Sequence, residues 1–323
     1  MKKKITLGPT NPINQLNLYG YELYFNLFID LFNEAKVPNV ILLNGPKGLG
    51  KSTFVYHFIN YIFSRNEDDK YNLEKKKINE NNKSYNLVNK NIHPNFFSLT
   101  TNNEKKEIKV DETRTLLDFL YKSTYSLGTK YILIDSADKL NLNSSNSLLK
   151  ILEEPPKNVF FFIINDSKKK VLPTIKSRSH EFKFHFNFNE KEDIFIKIIN
   201  NYNIDIDVKN IVKRFYFESP GNLLKISLIL SECNIDVVDN IYDSIFSLVS
   251  LYKKNRDEEL LIFISLFIEV YYNELCLNTN INLNKYFFNK EKISNYFTNL
   301  KKYNLNENNF FYNIKDILKN EFK

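Results

Sequence analysis

The sequence predicts an α/β domain, a parallel sheet with helices on both faces, followed by a small helical domain and an all-α C-terminal domain. Short apolar runs alternate with helical stretches up to about residue 186, a pattern typical of strand–helix–strand units with both sheet faces covered. A glycine-rich loop separates the first run from the helix that follows it. Beyond that point the apolar residues recur mainly at helical spacing.

The predicted elements follow one another in a regular order. Apolar or alternating runs predict strands at 39–44, 96–100, 130–135, 159–164 and 181–186. Helices are predicted at 51–63, from Asp111 onward, from Asn143 or Ser144 to Glu154, and at 190–200, 208–217 and 222–233. Residues 65–91 are rich in Asn, Lys, Glu and Asp. We therefore expect an exposed insertion or flexible loop there.

The change from an alternating to a helical pattern sets the predicted domain boundaries. We expect a P-loop α/β domain at 1–186, a helical lid at 187–236 and an all-α C-terminal domain at 237–323. Each part is long enough to bury apolar residues of its own.

Composition indicates a soluble, cytoplasmic protein without a membrane partner. The two cysteines, Cys233 and Cys276, are too few for a disulfide framework or a four-cysteine zinc site. The basic start lacks an apolar signal region. The apolar run 260–272 is shorter than a membrane span and contains Glu269. A formal charge of +7 is a modest excess, compatible with nucleic acid or with an acidic partner.

A phosphate-binding loop is predicted at 45–52. The letters GPKGLGKS match the consensus G-x-x-x-x-G-K-[ST] in full, between an apolar strand and an apolar helix. Glycines let backbone N–H groups face phosphate oxygens, while Lys51 would reach the outer phosphates and Ser52 would bind Mg²⁺. We expect ATP with Mg²⁺ as the ligand. The predicted nucleotide-binding residues are Gly45, Pro46, Lys47, Gly48, Leu49, Gly50, Lys51, Ser52 and Thr53.

A second acidic motif ends the strand at 130–135. Asp135 suits the aspartate that holds Mg²⁺ together with Ser52. Many P-loop ATPases follow this aspartate with a glutamate that orients the attacking water, but the next residue here is Ser136. A serine is a poor general base at neutral pH, and Asp138 lies too far along to be a simple substitute. We expect weak or absent hydrolysis by this chain alone.

Several motifs together resemble the clamp-loader branch of the AAA+ family. They are IDSADKL at 134–140, SLLKILEEPP at 147–156, LPTI at 172–175 and SRS at 177–179. In that branch the corresponding runs resemble NALLKxLEEPP and LPTIxSRC. The resemblance covers 40–186 with specific motifs and 187–233 loosely. It reaches the C-terminal third only through helical character.

The resemblance implies a function and a set of partners. The family forms five-subunit rings that open a sliding clamp and load it on primed DNA. The partners would be gamma/tau and delta subunits, the clamp and, through the complex, primed DNA. The C-terminal helices would form the oligomerisation collar. Arg178 matches the arginine that reaches a neighbour's ATP; a local ion pair with a carboxylate is the alternative. Sensor 1 would fall at Asn165 or Asp166.

Departures from the family pattern favour a delta-prime-like subunit that hydrolyses ATP poorly. Gamma and tau keep the glutamate that Ser136 replaces, and most carry four zinc-binding cysteines after the P-loop helix; no zinc is expected here. Sensor 2 would fall at 219–224, where Asn222 replaces a frequent arginine. One alternative is an active gamma/tau-type ATPase. Another is an unrelated P-loop kinase, which would need a substrate pocket and an arginine-rich lid.

Overall fold

A five-stranded parallel sheet forms the centre of the N-terminal part of the protein. The computed structural model describes residues 11–100, 107–121, 128–233, 241–278, 283–303 and 307–319. The strands are β1 Val40–Gly45, β2 Phe96–Leu99, β3 Lys130–Ile134, β4 Val159–Asp166 and β5 His180–Lys183. Their order is β2-β3-β4-β1-β5, and each neighbouring pair is parallel. The predicted α/β fold with a helical C-terminal part is confirmed.

Helices connect the strands, and further helices follow the sheet in the described chain. Those of the first part are α1 Glu22–Asn33, α2 Lys51–Phe63, α3 Lys83–Asn89, α4 Val110–Tyr121, α5 Leu142–Glu153, α6 Pro173–Lys176 and α7 Phe188–Tyr202. They are followed by α8 Val208–Arg214, α9 Pro220–Cys233, α10 Ile241–Asn255, α11 Glu258–Asn278, α12 Leu283–Tyr303 and α13 Glu307–Lys319.

Both faces of the sheet are buried, because successive side chains of a strand point to opposite sides. On β1, Ile41 and Leu43 belong to one apolar cluster, while Val40 and Leu42 belong to the other. The first cluster includes aromatic side chains from α1 and α2, packed largely edge to face; they are Phe25, Phe28, Phe54 and Phe58. The second cluster draws on α4 and α5. This sandwich fixes the strand ends that carry the candidate site.

The described chain forms two compact units. The first comprises the described residues of 11–205 together with 217–225, and includes the sheet. The second comprises 206–216 and the described residues from 226 onward. Within the second unit, α10 and α11 pack against each other, and the Arg214 Nε donates to Glu274 Oε1 at 3.1 Å. The predicted division at 186 and 236 stays a prediction.

Helix α11 is longer than the apolar run read from the sequence. Its stretch Leu260–Leu277 is long and apolar enough to cross a membrane by length and composition. Half of that stretch is buried within the protein, and Ile264 and Phe267 are almost fully enclosed. A helix in the core of a folded protein meets the same criteria of length and composition.

The sequence predicts an exposed insertion or a flexible loop at 65–91; much of the segment is exposed, but it contains a helix and buried side chains, so the flexible loop is wrong. Tyr71, Ile78 and Val88 are buried, and α3 lies within the segment. Asn82 is fully buried: its amide donates to the Asp69 carbonyl at 2.8 Å, and its Oδ1 accepts from Tyr85 N at 2.7 Å. A few apolar anchors and one buried asparagine thus order a mostly polar segment.

Two predicted helix starts are also corrected. The N-cap of α5 is Asn141, whose Oδ1 accepts from Ser144 N at 2.8 Å. The helix therefore begins before the predicted caps Asn143 and Ser144. Helix α4 begins at Val110, so Asp111 lies in its first turn. Several residue types can act as N-caps, and neighbouring polar residues made the choice ambiguous.

Candidate nucleotide-binding site

The predicted phosphate loop joins the carboxyl end of β1 to the start of α2. Gly48 and Gly50 have φ angles of +79° and +96°, in the left-handed region that favours glycine. Helix α2 begins at Lys51, so its positive end faces the loop. Backbone shape and helix direction are thus those of an anion-binding loop.

The Lys51 ammonium is bound by its own loop. Its Nζ donates to the Gly45 carbonyl at 2.6 Å and to the Pro46 carbonyl at 2.7 Å. The residue is only 5% exposed. Burial lowers the pKa of Lys51 to about 8, while Asp166 and Asp135 oppose that shift. The ammonium therefore lies against the loop whose backbone N–H groups would face phosphate oxygens.

The two residues predicted to hold Mg²⁺ are in direct contact. Ser52 Oγ donates to Asp135 Oδ2 at 2.7 Å. The backbone N–H of Asp135 donates to the Leu99 carbonyl at 2.9 Å, which extends the β2–β3 pairing to this carboxylate. A hydroxyl next to a carboxylate is a donor set that Mg²⁺ accepts beside phosphate oxygens. The residues therefore fit the ion.

Asn165 lies on β4, between the strands that carry the loop and Asp135. Its amide donates to Asn44 Oδ1 at 3.1 Å and to the Asp166 carbonyl at 2.9 Å. Its Oδ1 is buried and accepts no hydrogen bond from the described residues. Asp166 stands opposite Gly45 in the register of β4 and β1. An unsatisfied buried acceptor is uncommon, and this one lies at the same end of the sheet as the phosphate loop and Asp135.

The turn after Asp135 contains no glutamate near the site. Ser136 has a φ of +69°, which is uncommon for a non-glycine residue. Asp138 is only 7% exposed at its side chain, and its Oδ2 accepts from Lys169 Nζ at 2.5 Å. The carboxylate that follows Asp135 most closely in the sequence is therefore already paired with a lysine.

The turn at 219–222 lies directly on the phosphate loop. Ser219 Oγ donates to the Lys47 carbonyl at 2.7 Å, and Gly221 N donates to the Gly48 carbonyl at 2.9 Å. The Asn222 amide donates instead to Glu218 Oε2 at 2.5 Å. The predicted sensor 2 segment thus contacts the loop through a hydroxyl and a backbone N–H.

Arg178 lies at the other edge of the sheet. It precedes β5, whose first residue, His180, pairs with Ile41, and whose last, Lys183, pairs with Asn44. The phosphate loop follows the carboxyl end of β1. At about 3.3 Å per residue, β5 alone separates the two edges by roughly 10 Å. The Arg178 side chain pairs with Glu153, so the local ion pair considered from the sequence is present.

The structure brings Lys51, Ser52, Asp135 and Asn165 to one edge and leaves Arg178 at the opposite one. Leu49 contributes to the core. Its carbonyl accepts from the buried Tyr21 hydroxyl at 3.1 Å, a contact with no sequence signal. Within the described residues no group of three or more His, Cys, Asp or Glu side chains could hold a metal ion.

These features define a P-loop α/β protein. The family model described as "DNA polymerase III, delta subunit" matches residues 21–187, just over half of the chain. The chain belongs to this family, and the predicted resemblance to clamp-loader proteins is confirmed.

Curated relatives carry related names. The chain is 30% identical over 152 residues to DNA polymerase III subunit delta' of Pseudomonas aeruginosa, covering 47% of this chain and 44% of that protein. It is 27% identical over 217 residues to subunit delta' of Buchnera aphidicola subsp. Schizaphis graminum, covering 62% and 63%. It is 29% identical over 243 residues to subunit gamma of the same organism, covering 73% and 64%. The chain thus spans less than two thirds of these relatives.

A solved structure supports the fold. A DNA polymerase III gamma-subunit-related protein from Thermotoga maritima aligns with a TM-score of 0.53 at 15% identity, over 93% of this chain and 99% of that one. At this identity the likeness concerns the fold alone, and it agrees with the predicted α/β domain followed by helices.

Proposed function

We propose that this chain is a delta-prime-type subunit of the DNA polymerase III clamp loader, which helps to load the sliding clamp on primed DNA. Family membership supports this proposal, together with the motifs shared with clamp loaders. Its partners would be gamma/tau and delta subunits and the clamp, with primed DNA reached through the complex. Such a subunit would act in the cytoplasm, with the C-terminal helices joining the oligomer.

Nucleotide binding without efficient hydrolysis is the second part of the proposal. Lys51 and the loop N–H groups would bind the phosphates of ATP, and Ser52 with Asp135 would hold Mg²⁺. The ion would neutralise phosphate charge there. The Ser136 hydroxyl is too weak a base to activate water, and the Asp138 carboxylate already forms an ion pair with Lys169. Asn222 bonds Glu218. We therefore expect weak ATPase activity from the chain alone.

The third part of the proposal is that Arg178 acts at the nucleotide of a neighbouring subunit. The position of Arg178 supports this part. It lies at the amino edge of the sheet, whereas the phosphate loop lies at the carboxyl edge. Arg178 therefore cannot reach the nucleotide of its own chain. Arg178 directly precedes β5, the outermost strand of the sheet, and from there it can face another subunit, where a guanidinium stabilises charge on a transferring phosphoryl group.

The test is the ATPase rate of the purified chain, alone and then mixed with gamma/tau, delta, clamp and primed DNA. We expect almost no turnover alone and an active mixture. Arg178→Ala should strongly reduce turnover of the mixture, while Lys176→Ala, which removes a cation from the same segment, should leave it unchanged. Normal turnover with Arg178→Ala would refute the trans role. Vigorous turnover by the chain alone, abolished by Lys51→Ala, would instead favour a gamma/tau-type ATPase.

A further inference from the structure

The Arg178 guanidinium is largely satisfied within its own chain. Its Nε donates to Glu153 Oε1 at 2.7 Å, and its Nη2 donates to the same oxygen. Its Nη1 donates to the Thr174 carbonyl at 2.8 Å and to Ser177 Oγ at 3.3 Å. A guanidinium has five N–H donors. Most of the donors that could bind a phosphate are therefore already engaged.

The carboxylate of Glu153 does not stabilise the helix that carries it. This residue ends α5, and Glu154 follows as its C-cap. The C-terminus of a helix carries partial negative charge, so acidic side chains there are unfavourable. The charged group that Glu153 contacts is Arg178. The geometry therefore suggests that Glu153 is placed to act on the arginine.

We propose that Glu153 is a positioning residue. Its carboxylate is a displaceable anion that holds Arg178 on its own subunit. In the assembled complex the nucleotide phosphate of the neighbouring subunit takes the place of the Glu153 carboxylate. This inference rests on the proposed trans role of Arg178. Carboxylates and phosphates are both bound by the same guanidinium fork, so one must leave before the other binds.

The ion pair between Arg178 and Glu153 is weak enough to be broken when the complex assembles. The side chains of Arg178 and Glu153 are 28% and 49% exposed, and solvent screens such pairs. Exposed ion pairs are worth up to about 1 kcal/mol, which corresponds to about a fivefold change in an equilibrium. Glu153 would thus reduce the population of free Arg178 by up to about fivefold without blocking the fully assembled state.

Neutralising Glu153 should therefore raise the resting rate of the complex. With Glu153→Gln we expect turnover without clamp and primed DNA to increase up to about fivefold, while the saturated rate with both stays unchanged. Glu153→Asp keeps the charge and should stay closer to the wild-type resting rate. A merely structural loss at the end of α5 would lower both rates. The increase should shrink in high salt, because salt screens the wild-type pair.

The experiment uses the reconstituted complex with Glu153→Gln, Arg178→Ala and the double variant. Glu154→Gln is the matched control: this neighbouring residue is exposed and loses the same charge. Thermal unfolding of each purified chain confirms that the variants fold. The proposal is supported if Glu153→Gln raises the resting rate only when Arg178 is present and Glu154→Gln does not.

The other outcomes separate this inference from the proposed function. If Arg178→Ala reduces turnover but Glu153→Gln leaves the resting rate unchanged or lowers it, the holding role is refuted and the trans role stands. If Glu153→Gln raises the rate in both arginine backgrounds, Glu153 acts independently of Arg178 and the inference is wrong. If neither change alters turnover, both proposals are refuted.

Discussion

Replacing Gly221 by alanine should force the turn at 219–222 away from the phosphate loop. A Cβ built at Gly221 lies 2.5 Å from the Gly48 carbonyl oxygen and 3.2 Å from the Gly48 Cα. These neighbours are backbone atoms, which cannot rotate away as the end of a side chain can. The two segments must separate, which weakens the hydrogen bond from Gly221 N to Gly48 O, now 2.9 Å long.

The expected loss in the free energy of unfolding combines two destabilising effects and one stabilising effect. Overpacking of a tight contact costs about 1–3 kcal/mol, and losing the hydrogen bond adds about 1 kcal/mol. Alanine is a better helix former than glycine and regains about 1 kcal/mol at the start of α9. The net loss is about 1–3 kcal/mol. For a unit of this size it corresponds to a Tm decrease of roughly 2–12 °C.

Thermal unfolding of the purified chain measures this loss, and binding of a fluorescent ATP analogue with Mg²⁺ reports on the loop. We expect Gly221→Ala to lower Tm and to weaken binding. Leu23→Ala is the control, because Leu23 is 85% exposed and its removal should change stability by no more than about 0.5 kcal/mol. An unchanged Tm with Gly221→Ala would show that the turn does not pack on the loop.

Three further changes test other parts of the structure. Asn82→Ala removes the cap of α3 and leaves the Asp69 carbonyl without its donor, so urea unfolding should show a loss of about 2–3 kcal/mol; wild-type stability would contradict the ordered segment. Burial lowers the pKa of His57 to about 4. Below pH 6.5 the unfolded chain takes up the proton first, so this histidine should reduce stability as the pH falls from 6.5 to 4. His57→Gln should flatten that dependence, and an equally steep decline in the variant would exclude His57 as its source. Ser52→Ala should weaken analogue binding in Mg²⁺ but much less in EDTA, and an equal loss in both buffers would argue against an ion site at Ser52.

The sequence predicted the sheet well because its strands are buried on both faces. The runs 131–134 and 159–164 are continuously apolar, and this pattern distinguished them from the loops around them. The glycine-lysine-serine consensus placed Lys51 and Ser52 at the start of a helix, where the structure has them. It also predicted that Ser52 and Asp135 would act together, and the two side chains are hydrogen-bonded.

Other parts of the site had no adequate sequence signal. The segment 65–91 looked like a loop because its polar residues outnumber the few that anchor it. The contact between Ser219 and Lys47 joins residues 172 positions apart, and one of its atoms is a backbone carbonyl. Backbone atoms are the same in every residue, so their pairing leaves no trace in composition or periodicity.

By itself the sequence determined the strands of the sheet, the phosphate loop and the absence of a glutamate after Asp135, since these depend on residue type and local spacing. Only the tertiary structure decided which edge of the sheet each residue occupies. Arg178 is separated from the phosphate loop by the parallel register of β1 and β5, and its pairing with Glu153 depends on how α5 and α6 pack together. Register and packing are properties of the whole folded domain, because each strand position is fixed by its neighbours.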